Sequence, residues 1–344
     1  MSVNLTGQHL ASYARLRTVV LCGLILVPRA LPSRQEGKSA GLEGSISSAA
    51  PQESSDPLLK TVEGLIDSNR LVEAREKLKE TAARPGETYQ TLFLEAKILF
   101  KEDKHLESIK VLERCLQLQQ HDPAIYKLIA FNAIRMDRMD IAEPALKTAI
   151  QLAPEDYLPH FHLGALYYTS SRFPQAEPEL REAVRLNSTF VPAYSFLGLT
   201  LEELGQEGAA ARFYRQAIEI TESRKGGTDL PYLHLGRLLY RQNNFPESLP
   251  YLQKAVEVNP RSGKSWCLLA KILTFQGRDR EALQALRQSV QSDRDYAEPH
   301  YLLSRFYSKQ GQDAEAQNEL RVFRELKKLE KKKDDGRRRQ TETP

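Results

Sequence analysis

The chain has 344 residues, of which 41% are hydrophobic and 27% charged, and its formal net charge is +4. That charge sits at the ends: residues 1–54 contribute +2 (five basic, three acidic), residues 327–344 contribute +4 (eight basic, four acidic), and the stretch between is left at about −2. Net charge therefore excludes the body of the chain as a polyanion binder, and no Gly-rich phosphate loop, nucleophile elbow, HExxH or paired CxxC marks a catalytic centre.

Residues 1–30 differ in kind from the rest. Arg15 and Arg17 precede an apolar run from Val19 to Val27, broken only by Cys22 and Gly23, and no acidic residue comes before Glu36. The pattern resembles a secretory signal peptide, and the run is too short for a membrane-spanning helix, which needs roughly 20 apolar residues. Export to a periplasmic or extracellular compartment is expected ahead of a cytoplasmic location. A retained membrane anchor over the same residues is the alternative. Leu21 makes Cys22 a poor lipid acceptor, and residues 31–54, rich in Ser, Ala, Gly and Glu, read as a disordered linker.

From residue 55 to 326 the sequence repeats itself. Ala74, Ser108, Ala142, Ala176, Ala210, Ser248, Ala282 and Ala316 are 34 positions apart, save one gap of 38. Four positions after each comes a large residue: Leu78, Leu112, Leu146, Leu180, Tyr214, Leu252, Leu286 and Leu320. Three further on the residue is small again in Cys115, Ala149, Ala183, Ala217, Ala255 and Ser289. Those offsets put all three columns on one face of a helix. Twelve positions before the first column runs another small one, from Val62 through Gly198 and Gly236 to Ser304, and a bulky residue opens the same segment in every copy, among them Tyr126, His160, Tyr232, Trp266 and His300. Each unit thus predicts two antiparallel helices that approach closely where small residues meet.

These columns resemble the tetratricopeptide repeat, whose units share this period and carry Leu-Gly or Leu-Ala in the first helix and Ala in the second. On that register the copies begin at Ser55, Tyr89, Pro123, Tyr157, Val191, Asp229, Gly263 and Ala297. The first two and the last depart most from the pattern, as capping units do. The resemblance implies an all-α solenoid, a right-handed superhelix of antiparallel helix pairs. The additional four residues fall between Glu222 and Thr228, where Gly226 and Gly227 read as a tolerated loop extension, with a hinge or binding loop as the alternative. Pro174 and Pro246 suit the first turn of a helix, and Pro144, Pro178 and Pro250 each give up about one hydrogen bond near a helix start.

By the same resemblance, positions 2, 5, 9, 12 and 13 of the first helices line a concave groove. They supply the aromatics Phe93, Phe131, Phe161, Tyr168, Tyr240 and Tyr301. Interleaved are Lys97, Lys127, Arg135, Arg237, Arg241, Lys264, Lys271, Arg305 and Lys309, with Glu202 and Glu203 as the acidic counterweight. Aromatic anchors beside cations suit a protein segment, extended or helical, with acidic and apolar side chains. Packing of the aromatics between helices and solvation of the cations is the competing reading. The family's clamp for a chaperone C-terminus is not matched, because Phe131 and Leu268 stand where Asn and a cation are needed. A pentatricopeptide-like RNA code is likewise disfavoured.

His160 and His162 lie two residues apart, about 200° around a helix, and cannot chelate one ion together. Cys115 falls in a packing column, Cys267 is placed in the groove, and a disulfide between them is not expected across five repeats. Residues 327–344 read as a basic helix extension and, past Asp334 and Gly336, a disordered tail. The expected function is that of a non-enzymatic scaffold binding a protein partner, without cofactor, metal or small-molecule substrate. Membrane contact is expected only through the N-terminal segment. A nucleic-acid or anionic-surface binder working through the basic tail, and an accessory subunit of an enzyme complex, are the alternatives.

Overall fold

The computed structural model describes residues 56–82, 88–223 and 228–341, with side chains through Lys332 except that of Ala82. The expected leader and linker, and the insertion around Gly226 and Gly227, lie outside those residues. The chain divides into two compact units, Met1–Ser170 and Ser171–Pro344, and every regular element among the described residues is an α-helix. The first unit holds α1 (Pro57–Asp67), α2 (Leu71–Ala82), α3 (Tyr89–Lys101), α4 (His105–Leu118), α5 (Pro123–Arg135), α6 (Met139–Leu152) and α7 (Tyr157–Thr169). The second holds α8 (Phe173–Leu186), α9 (Val191–Glu203), α10 (Glu207–Glu222), α11 (Leu230–Arg241), α12 (Phe245–Val258), α13 (Gly263–Phe275), α14 (Asp279–Ser292), α15 (Ala297–Lys309) and α16 (Asp313–Thr341).

Within each unit every helix packs on the next, and first helices of successive pairs touch, α1 with α3 and α3 with α5 in one unit, α9 with α11 and α11 with α13 in the other. The register read from the small-residue columns holds. Second helices start at Leu71, His105, Met139, Phe173, Glu207, Phe245, Asp279 and Asp313, all at the same offset from the start of their repeat.

The columns have a steric cause. A Cβ on Gly198 would come within 2.7 Å of Tyr214 Cζ and closer still to Cε1, and one on Gly236 within 2.7 Å of Leu252 Cγ. The small residue of the first helix is thus the socket for the large residue of the second. Where the second helix carries serine instead of alanine, its hydroxyl finds a carbonyl: Ser108 Oγ donates to Ala96 O at 2.9 Å and Ser248 Oγ to Gly236 O at 2.6 Å. Buried Asn132 extends the first of these, donating to Ser108 Oγ at 2.9 Å and Leu128 O at 2.8 Å.

The turn within each pair needs a left-handed residue. Asn69, Asp103, Asp137, Ser171 and Asn243 have φ of 57–58°, and Gly205, Gly277 and Gly311 have φ of 72–74°. All eight share one repeat position, filled by residue types that tolerate this conformation. Nothing lies within 4 Å of a Cβ placed on Gly277, so Gly277→Ala tests the backbone alone. It should lower stability by about 1 kcal/mol, with Gly277→Asn losing less, as read from urea unfolding midpoints.

First helices of the opening unit are capped from the preceding turn. The Asp56, Asp122 and Asp156 carboxylates accept from Leu58, Ala124 and Leu158 N–H at 2.8–3.0 Å. At the other end of the chain, α16 runs to Thr341, past the point where the sequence suggested a disordered tail. Its Lys, Arg and Glu residues are good helix formers, and a single Gly336 costs about 1 kcal/mol without forcing a stop.

Candidate functional site

Positions 2, 5, 9, 12 and 13 of a first helix fall on one stripe by helical spacing. The structure divides the residues expected there between the two units. In the first unit, Phe93 on α3 stacks on Tyr89 with centroids 5.8 Å apart, and Lys97 Nζ lies 5.5 Å from its ring centre. Lys97 in turn pairs with Glu63 of the preceding repeat at 2.6 Å. Lys127 pairs with Asp156 at 2.6 Å, the same carboxylate that caps α7. Arg135 reaches Asp103 at 3.2 Å. Phe131 and Phe161 enclose His162, with ring centroids at 4.6 and 5.1 Å, and Tyr168 is half-buried at the far end of α7.

In the second unit the charges organise around one carboxylate. Glu202 is buried, its side chain 2% exposed, and accepts from Tyr214 OH at 2.5 Å, Arg237 Nη2 at 3.0 Å and Arg241 Nη1 at 2.8 Å. The sequence reading offered Glu202 as an acidic counterweight lining the groove. Instead, a small residue at Gly198 lets the Tyr214 ring in, and the ring's hydroxyl draws the carboxylate inward with two arginines from the next repeat. Tyr240 lies 5.4 Å from Phe245, which lies 4.3 Å from Phe275. Lys271 Nζ sits 5.8 Å from the Tyr240 ring centre and pairs with Glu298. Lys309 pairs with Asp279 at 3.1 Å, and Tyr301 meets Phe323 of α16 at 5.3 Å. Lys264 and Arg305 are exposed and have no acidic partner among the described residues.

Most of the expected groove cations are therefore tied to a neighbouring repeat rather than presented free. The exposed apolar groups of the second unit's first helices are Leu230, Phe275 and Tyr301, at 46%, 69% and 40% exposure. Leu230 and Phe275 occupy stripe positions that the sequence reading passed over. Cys267 is fully buried rather than in the groove, and burial pushes its thiol, like that of Cys115, up to about 12. Neither is a reactive thiolate. Burial also pushes His162 and His234 down to about 4, so both are neutral at pH 7. His234 stacks on Tyr214 at 5.5 Å. Among the described residues no group of three or more His, Cys, Asp or Glu could hold a metal ion, and no helix is long and apolar enough to cross a membrane.

Comparison with known families agrees with this geometry. Family models described as tetratricopeptide repeat match residues 161–225, 233–299 and 276–325. The chain carries tetratricopeptide repeats. A model for Chs5p-Arf1p-binding proteins matches residues 38–189, overlapping the same repeat array. A cell division cycle protein 27 homolog from Caenorhabditis elegans is 28% identical over 86 residues, 25% of this chain, and the chain spans 11% of that relative's length.

Among solved structures, the tetratricopeptide chain resembles the APC/C hetero-tetramer Cut9–Hcn1 (TM-score 0.55, 14% identity, 79% of this chain and 53% of that one). It also resembles PilF of Pseudomonas aeruginosa (TM-score 0.54, 13% identity, 61% and 94%). A tetratricopeptide protein of Parabacteroides merdae is similar too (TM-score 0.53, 17% identity, 69% and 92%). At such identities the likeness shows the fold alone. Tetratricopeptide proteins are in general non-catalytic scaffolds for protein–protein contact, and the surface, not a pocket of reactive groups, is where their function resides.

Proposed function

We propose that the first-helix face of the second unit binds a protein segment carrying apolar and acidic side chains. One observation carries this reading: exposed Leu230, Phe275 and Tyr301 lie on the same stripe as Lys264 and Arg305, the cations left without acidic partners among the described residues. Large apolar groups held in water by rigid helices, beside unsatisfied positive charge, suit aromatic anchoring with electrostatic selection. The first unit contributes less, since three of its stripe cations, Lys97, Lys127 and Arg135, are matched by carboxylates and only Lys101 has no acidic partner among its described residues. The relatives' names point to protein partners: one solved relative is held in a complex with Hcn1, and one matching family is defined by binding Chs5p and Arf1p.

An array of peptides pairing Phe or Leu with Asp or Glu, set beside the same peptides with Lys for the acids, tests the proposal. Acidic members should bind the full chain at least tenfold more tightly. Phe275→Ala with Tyr301→Ala should abolish that binding, and Lys264→Glu with Arg305→Glu should reverse the charge preference. Equal binding of acidic and basic peptides would overturn the reading.

A further inference from the structure

The second unit carries another concavity, on a different stripe of α15. A cleft of about 510 Å³ is lined from α14 through α16 by Arg287, Arg294, His300, Tyr307 and Glu319 among others. This volume lies within the range of small-molecule sites. We infer that the cleft binds a compact organic acid, a carboxylate carried on an apolar body.

The charges point to an anion. Arg287 makes one hydrogen bond, to Tyr307 OH at 3.4 Å, and neither arginine has an acidic partner among the described residues. The one carboxylate in the cleft, Glu319, is already committed: its Oε2 lies 2.6 Å from His300 Nδ1. Two arginines thus line the cleft with one engaged carboxylate, and a guanidinium fork is the side chain best shaped to take a second.

The rest of the lining sets the shape of the ligand. Val290, Leu303 and Val322 supply an apolar surface from all three helices, so a bare inorganic anion would leave that area unused. A carboxylate with an aryl or branched alkyl body uses both halves. That chemistry belongs equally to a free metabolite and to a C-terminal apolar residue of a polypeptide.

Calorimetric titration of the full chain distinguishes these sources. The probes are 3-phenylpropionate, its neutral amide, and the tetrapeptide Gly-Gly-Gly-Phe with either a free or an amidated C-terminus. Binding of an acid form, with its amide weaker by tenfold or more, is the expected result; which acid binds identifies the source. Arg287→Ala and Arg294→Ala, both at exposed positions, should each weaken binding roughly tenfold, while Lys264→Ala, on the stripe proposed for the protein partner, should change nothing. The inference is overturned if neither acid binds, if acids and amides bind alike, or if both arginine variants bind as the parent does.

Discussion

Gly198→Ala should destabilise the second unit by about 2 kcal/mol, although alanine is the better helix former. Helix propensity favours the substitution by about 1 kcal/mol. Against it stands the Tyr214 ring, fully buried and within 2.7 Å of where the new methyl would go. Overpacking a filled core costs about 1–3 kcal/mol and more when the neighbour cannot move. Tyr214 cannot move freely, because its hydroxyl is bonded to Glu202 and its face is stacked on His234.

The other repeats supply the control. Ala96 with Leu112, Ala130 with Leu146 and Ala270 with Leu286 occupy the equivalent positions, so alanine is accepted where the second helix carries leucine. Gly198→Ala combined with Tyr214→Leu should therefore lose less than the sum of the two single substitutions, by about 1 kcal/mol or more. Gly208→Ala, with nothing within 4 Å of its new methyl, should be neutral or slightly stabilising. Hydrogen exchange of α9 and α10 reads all four locally. Additive losses in the double variant would mean that the socket is not what makes this column small.

The repeat interval carried the architecture because packing columns are set by local geometry: a small residue at Gly198 and a large one at Tyr214 are visible as letters. The turn column was equally visible and went unread. Asn69, Asp103, Asp137, Ser171, Gly205, Asn243, Gly277 and Gly311 keep the same spacing, and their shared property is a left-handed φ rather than polarity or size. The capping aspartates Asp122 and Asp156 recur at the repeat interval as well, and the second of them explains Lys127, whose partner is the cap of the next first helix.

The surface was less legible. Sequence places Arg237, Arg241 and Glu202 on the same stripe, but which charges face water depends on contacts between successive repeats. Those contacts follow from the bulk of Tyr214, a residue on another helix. A stripe of cations read from one helix at a time therefore overstates the free positive charge. Lys264 and Arg305 stand out only when each pair is resolved. Phe275 was passed over although Tyr168 and Tyr240, one position earlier in their repeats, were read as groove aromatics; its ring is 69% exposed and lies 4.3 Å from that of Phe245, which no single helix shows.

Arg237→Ala together with Arg241→Ala should cost about 3 kcal/mol, far beyond the roughly 0–1 kcal/mol of a surface ion pair. The reason lies with the partner left behind. Glu202 is 2% exposed, and without the two guanidiniums its charge is held by the Tyr214 hydroxyl alone. Desolvating a carboxylate is expensive unless paired charge and hydrogen bonds offset it. The arginines themselves are 37% and 52% exposed at the side chain, so removing Glu202 instead leaves two cations that water can solvate. Glu202→Gln should accordingly lose only about 1 kcal/mol, since the amide oxygen still accepts from Tyr214. Adding Glu202→Gln to the double arginine variant should recover most of its loss, because the buried charge is gone. Urea unfolding of the four proteins provides the cycle. Should the double arginine variant unfold within about 1 kcal/mol of the parent, the range of an exposed pair, Glu202 is solvated well enough to need no partner, and Arg237 and Arg241 would be free to serve the binding face. If the large loss and its rescue are found, these two arginines hold α9 to α11, and their replacement cannot be used to probe partner recognition.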